Sequence, residues 1–135
     1  MDRREARHLI DAYIASWKDR EIDRFLATLS DDAVVIECDG SNARGLEEAQ
    51  AWFDSWHAEP IGGRVTRWTI RRFLYDEEEE AAAIEWVFGC TCYGKPAAFR
   101  GASLVAFDAG RIASIHEYKR LPAESEAVRT GRGHE

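Results

Sequence analysis

Apolar side chains recur at Ala6, Leu9, Ile10, Tyr13, Ile14 and Trp17, in steps of three and four that gather into one stripe along an α-helix. Asp2, with Glu5 three residues on, reads as a capping box at its start. Asp19 and Arg20 break the stripe. Ile22, Phe25, Leu26 and Leu29 resume it as a short second helix ending at Ser30-Asp31-Asp32. Residues 33–38, Ala-Val-Val-Ile-Glu-Cys, read as a short strand closed by Asp39-Gly40-Ser41-Asn42. Helical spacing returns after Gly45 in Leu46, Ala49, Trp52, Phe53 and Trp56, and Pro60 with Gly62-Gly63 stops it.

The second half reads as strand throughout. Val65–Tyr75 leads into five carboxylates, Asp76–Glu80, whose mutual repulsion suits a solvated hairpin tip. Ala82–Tyr93 follows, then a Gly94-Lys95-Pro96 turn, then Ala97–Phe107. Asp108-Ala109-Gly110 turns the chain into a last strand, Arg111–Lys119. Long strands joined by short turns pair as an antiparallel meander. Three helices cover a long sheet only by packing into its concave side. The expected fold is therefore α+β: a cone-shaped, curved antiparallel sheet wrapped around three N-terminal helices, spanning residues 1–120. Residues 121–135, polar and without periodicity, are expected to be a mobile tail.

Composition narrows the partners. A chain of 135 residues with 45% hydrophobic residues builds one core. Its formal net charge of −7 repels phosphate backbones, so nucleic acid is not an expected partner. Arg64, Arg67, Arg71 and Arg72 form the one candidate basic stripe, and they are expected to pair with the nearby acidic run. No apolar stretch reaches membrane-span or signal-core length, so a cytoplasmic, non-membrane protein is expected. Three cysteines make a poor disulfide framework. Cys90-x-Cys92 and Cys38 lack recognised zinc spacing, and strand alternation turns Cys38 away from the other two if Glu37 faces inward. Neither a metal nor a cofactor is expected. No Gly-rich phosphate loop, Ser-His-Asp order or dinucleotide fingerprint is present.

The order helix, helix, short strand, helix, long meander resembles the nuclear-transport-factor-2 superfamily. That group includes ketosteroid isomerases, SnoaL-type polyketide cyclases, limonene-epoxide hydrolases and scytalone dehydratases. The resemblance rests on Asp31-Asp32-Ala33-Val34 before the first strand, Arg44-Gly45 opening the third helix with Trp52-Phe53 following, and the hairpin Phe107-Asp108-Ala109-Gly110-Arg111-Ile112 leading to His116-Glu117-Tyr118. It implies a cone with a cavity. Likeness to ketosteroid isomerase implies a hydrogen-bonding role for Tyr13 and a general-base role for Glu37. Ser103 stands where that enzyme has a neutral aspartic acid, which weakens any oxyanion hole.

The residues themselves leave several roles open. Glu37 among Ala, Val and Ile would have its pKa raised by burial, or else points into water at the strand's end. Tyr13 is equally a core aromatic. Ile84, Trp86, Phe88, Cys90 and Cys92 share one strand face and would line an apolar cavity, unless they fill it. With Trp52, Phe53 and Trp56 from the third helix they make the expected ligand-binding set. The opposite face suits a homodimer contact. By register with related folds, Glu117 points into the cone opposite Glu37, though a rim ion pair with Arg100 competes. His57 sits where a helix C-terminus favours a positive charge. A small, largely apolar organic molecule is the expected partner. Catalysis by Glu37 with Tyr13 and Ser103, as an isomerase, lyase, hydrolase or cyclase, is the alternative, and a non-catalytic dimeric scaffold is another.

Overall fold

The computed structural model describes residues 1–120, and the tail expected at 121–135 lies outside them. The first stripe forms α1 (Arg3–Asp19). Its capping box is complete: Asp2 Oδ1 accepts from the Glu5 N–H and Glu5 Oε1 from the Asp2 N–H, both at 2.8 Å. Arg20 turns the chain out of the helix in the left-handed region, at φ 59°. Helix α2 (Ile22–Ala27) is shorter than its spacing suggested, because Leu29 belongs to β1 (Leu29–Ile36). Local chemistry explains the early exit. The Thr28 hydroxyl bonds back to the Phe25 carbonyl at 2.7 Å, while the Thr28 carbonyl accepts from the Ile112 N–H at 2.8 Å and draws the chain into the sheet.

A three-residue strand, β2 (Asn42–Arg44), was too short for alternation to reveal. Then come α3 (Gly45–His57), β3 (Arg64–Asp76), β4 (Ala81–Cys92), β5 (Lys95–Asp108) and β6 (Arg111–Lys119). The expected Gly94-Lys95-Pro96 turn tightens to Tyr93-Gly94, since Lys95 and Pro96 already pair with Cys92 and Thr91. The acidic tip satisfies itself instead of pairing with arginines: Asp76 Oδ1 accepts from the N–H groups of Glu78 and Glu79. Among the described residues, the ion pairs join Arg7 to Asp11 and Arg24 to Asp19 and Glu21, so Arg64, Arg67, Arg71 and Arg72 make none with that tip.

The six strands lie in the order β2-β1-β6-β5-β4-β3. The expectation of a wholly antiparallel sheet is corrected at one junction. β1 runs parallel to β6, because the chain between them crosses over through α3 and the whole meander. The result is a curved, open, mixed sheet with the helices in its concavity. α1 packs on β3 and α3 on β1.

The two ends of that concavity differ. At one end Phe25, Leu29, Val35 and Ile112 are at most 1% exposed, and Ile84, Phe73, Val105 and Phe107 join them in a filled core. Phe25 stacks on Phe53 with centroids 4.6 Å apart, and Tyr13 and Trp17 close around it. At the other end the same strands stay paired but border a hollow.

Candidate functional site

Alternation along β4 aims Ile84, Trp86, Phe88, Cys90 and Cys92 into the concavity. Ile84 fills the closed end, whereas Trp86, Phe88, Cys90 and Cys92 border a cavity of about 360 Å³. Cross-strand register adds Phe99 opposite Phe88 and Gly101 opposite Trp86 on β5, with Lys119 opposite Gly101 on β6. Gly101 makes the geometry possible. A Cβ there would collide with the Tyr118 carbonyl and stand 2.5 Å from the Trp86 ring, so only glycine lets the indole lie across β5. Gly63 does the same for Trp56, whose ring would lie 2.5 Å from an added Cβ.

Thus placed, the Trp86 indole N–H donates to Ser103 Oγ at 2.9 Å, and Ser103 Oγ donates in turn to Glu117 Oε2 over a long 3.4 Å. Ser103 is opposite Glu117 on β6 and is 2% exposed. Glu117 borders the cavity. The competing ion pair with Arg100 does not form, because Arg100, opposite Val87, lies on the outer face beside Arg72 and Glu85. The Glu117 carboxyl therefore carries a burial cost with one weak hydrogen bond against it. Burial pushes its pKa up to about 7, repulsion from Glu37 adds to the rise, and the Ser103 hydroxyl opposes it.

Glu37 follows the end of β1 and borders the same cavity. It also borders a second hollow of about 310 Å³ shared with Trp52, Ser41 and Asn42. Burial again raises its pKa, Asp39 adds repulsion, and hydrogen bonding to Ser41 and Trp52 lowers it. Glu37 thus raises the cost of ionising Glu117 across the same cavity.

Other candidates fall elsewhere. Tyr13 is 4% exposed and packs against Trp17, Phe25 and Trp68 without bordering the cavity. Burial pushes its phenol pKa up, as does the nearby Glu117. Phe53 is core, Trp52 borders the second hollow, and Trp56 borders the first. His57 closes α3, with one ring nitrogen 2.7 Å from the Phe53 carbonyl and the other 3.2 Å from the Trp17 carbonyl. Cys38, expected to turn away from Cys90 and Cys92, is exposed but borders the same mouth. β1 ends at Ile36, so alternation no longer governs Cys38. Cys90 and Cys92 sulfurs lie 3.8 Å apart, and burial with that contact pushes the Cys90 thiol up to about 11, which disfavours the thiolate a metal would need. Among the described residues no group of three or more His, Cys, Asp or Glu side chains is placed to hold a metal ion. No helix there is long and apolar enough to cross a membrane.

Sequence reasoning passed over Trp68, Phe99 and Lys119, which also border the cavity. Phe99 and Lys119 share the parity of Ser103 and Glu117, so alternation could have found them. Trp68 could not be found that way. β3 carries register shifts between Val65 and Arg67 and between Ile70 and Arg72, and each inserts a residue that flips the faces.

An α+β cone with helices in the concavity and an aromatic, carboxylate-bearing hollow at its open end defines a class of small pocketed domains. The SnoaL-like domain family matches residues 10–115, and the chain belongs to that family. No curated protein sequence matches it significantly. Solved structures carry the same fold. A cystatin-like-fold protein of unknown function from Methylobium petroleophilum is 24% identical, with 90% of this chain and 80% of that one covered and a TM-score of 0.73. An LEH-like epoxide hydrolase of M. tuberculosis is 20% identical over 86% and 79%, with a TM-score of 0.74. A protein with a ketosteroid isomerase-like fold from Catenulispora acidiphila, in complex with trimethylamine, is 21% identical over 94% and 93%, with a TM-score of 0.70. At these identities the likeness establishes the fold alone.

Proposed function

We propose that the cavity walled by β4, β5 and β6 binds a small, largely apolar organic molecule, with Glu117 as the acid–base group that faces it. One observation carries this reading: a hollow of about 360 Å³ bordered by Trp56, Trp68, Trp86, Phe88 and Phe99, with the Ser103-anchored Glu117 carboxyl among them. Aromatic walls remove apolar surface from water, and few polar groups orient the ligand. Similar folds hold small organic molecules, trimethylamine in one case and polyporic acid in another.

A carboxyl with a pKa of about 7 also suits proton transfer at neutral pH. On that second reading the protein is a cofactor-independent isomerase, lyase, hydrolase or cyclase. Glu37 and Glu117 divide the base and acid roles. Ser103 holds Glu117 in place, and Tyr13 supports the wall behind Trp68. The test is a thermal-shift screen of small apolar carbonyl compounds, polyketide fragments and terpenoids on wild type, Glu117→Gln and Glu37→Gln. Ligands that stabilise the wild type and lose that effect in the variants support the reading. Equal shifts in all three proteins would place the binding site elsewhere.

The outer sheet face suits a second copy of the chain in a cytoplasmic homodimer. Leu74 and Leu104 are 51% and 52% exposed and sit in one cross-strand row through Ala83 to His116. Sedimentation should show a dimer that Leu104→Glu dissociates. A monomeric wild type would remove this part of the reading.

A further inference from the structure

The cavity's polar complement is one-sided. Glu37, Asp39 and Glu117 border it as acids, and Lys119 is the one base among the described residues there. Among the described residues neither Glu37 nor Glu117 has a basic nitrogen within ion-pair distance, since the ion pairs there all lie on and around α1 and α2. An anionic ligand would meet three carboxylates, and a neutral one would leave the half-buried Glu117 without a counter-charge.

The wall beside these acids is built for the opposite sign. Trp68 meets Phe88 with centroids 5.1 Å apart and planes inclined by 88°. Phe88 meets Phe99 at 5.3 Å and 40°, and Trp86 meets Phe99 at 6.0 Å and 69°. Rings inclined this way present faces as well as edges along the cavity lining, and ring faces attract cations. The chain itself uses one of them: Lys119 Nζ stands 4.9 Å from the centroid of Phe99. Alkylated ammonium groups suit such a wall best, because they carry charge with little bound water to lose.

We propose that the molecule bound in this cavity carries a tertiary or quaternary ammonium group on an apolar body, with its cation against the Trp68–Phe88–Phe99 wall and Glu117 and Glu37 as counter-charges. The inference rests on the reading of the cavity as the ligand site and specifies its ligand class. It also sets a direction for pH. The cation favours the ionised Glu117 carboxyl, so it binds more tightly at pH values above the free protein's pKa of about 7 and displaces a proton when it binds below that value.

The test is a tryptophan-fluorescence titration of the full chain with phenyltrimethylammonium and with its uncharged isostere, tert-butylbenzene. In the wild type the cation should bind at least about tenfold more tightly than the isostere at about pH 8, with the preference shrinking at about pH 6. Glu117→Gln should lose most of that preference while keeping the isostere's affinity, and Phe99→Leu should weaken the cation more than the isostere. An isostere that binds as tightly as the cation would overturn the ammonium inference and leave the cavity reading intact. Absence of binding by both compounds in a folded wild type would overturn the two together.

Discussion

The closed and open ends of the same concave face are built from the same strands and put them to different use. At the closed end Ile84, Val105 and Ile115 interlock with Phe25 and Leu29 from the helical layer, and the core there is apolar. A few residues along the same strands, Phe88, Phe99 and Glu117 replace them, and the helical layer recedes to Trp56 at the rim. The closed end supplies stability. The open end retains a half-buried carboxyl and a hollow, both of which cost stability, and that contrast is why the ligand site is proposed there.

The contrast is sharpest for aromatic truncation. Phe25→Ala should destabilise the fold by about 3–5 kcal/mol, because it empties a filled site. Phe88→Ala, at a wall that already faces a cavity, should cost no more than about 2 kcal/mol. Chemical denaturation of the two variants measures the difference, and equal losses would mean that the open end is packed like the closed one.

Glu117→Gln should act in the other direction. The native Glu117 pKa is about 7, above the unfolded value of 4.5, so the folded state holds the proton more tightly. Stability attributable to this group is full below the unfolded value, falls as pH rises from there toward about 7, and levels above it. The variant should therefore exceed wild type by about 3 kcal/mol near pH 8 and lose most of the slope across that window. Urea melts over the pH range read both quantities.

Smaller effects test the supports. Gly101→Ala should cost about 2 kcal/mol and displace Trp86, visible as a shift in its fluorescence. Asp2→Ala, far from either end, should cost about 1 kcal/mol through loss of the capping box and leave the cavity unchanged.

Much of this plan was legible from periodicity. The α1 stripe, its capping box, the third helix and the β4 alternation follow from side-chain spacing, because in each a single buried face imposes one period. What escaped was set by long-range contact. Leu29 reads as helix until Ile112 draws Thr28 into the sheet, and β2 exists only as a partner of β1. Trp68 is hidden by two bulges, and the parallel β1–β6 pairing joins segments that no local pattern links. At the site, family register offered an inward Glu117 beside a competing rim ion pair with Arg100. The Trp86 bond to Ser103 depended on a glycine, Gly101, whose role appears only when Trp86 lies over it.

The most direct measurement is a carbon-detected NMR titration of the Glu117 side-chain carboxyl, in wild type and in Glu37→Gln. A half-buried, desolvated carboxyl facing a second acid gives a midpoint of about 7, moving downward when Glu37 is neutralised. A midpoint at the ordinary 4.5, unmoved by Glu37→Gln, would mean that Glu117 is solvated and that the open end holds no acid–base site.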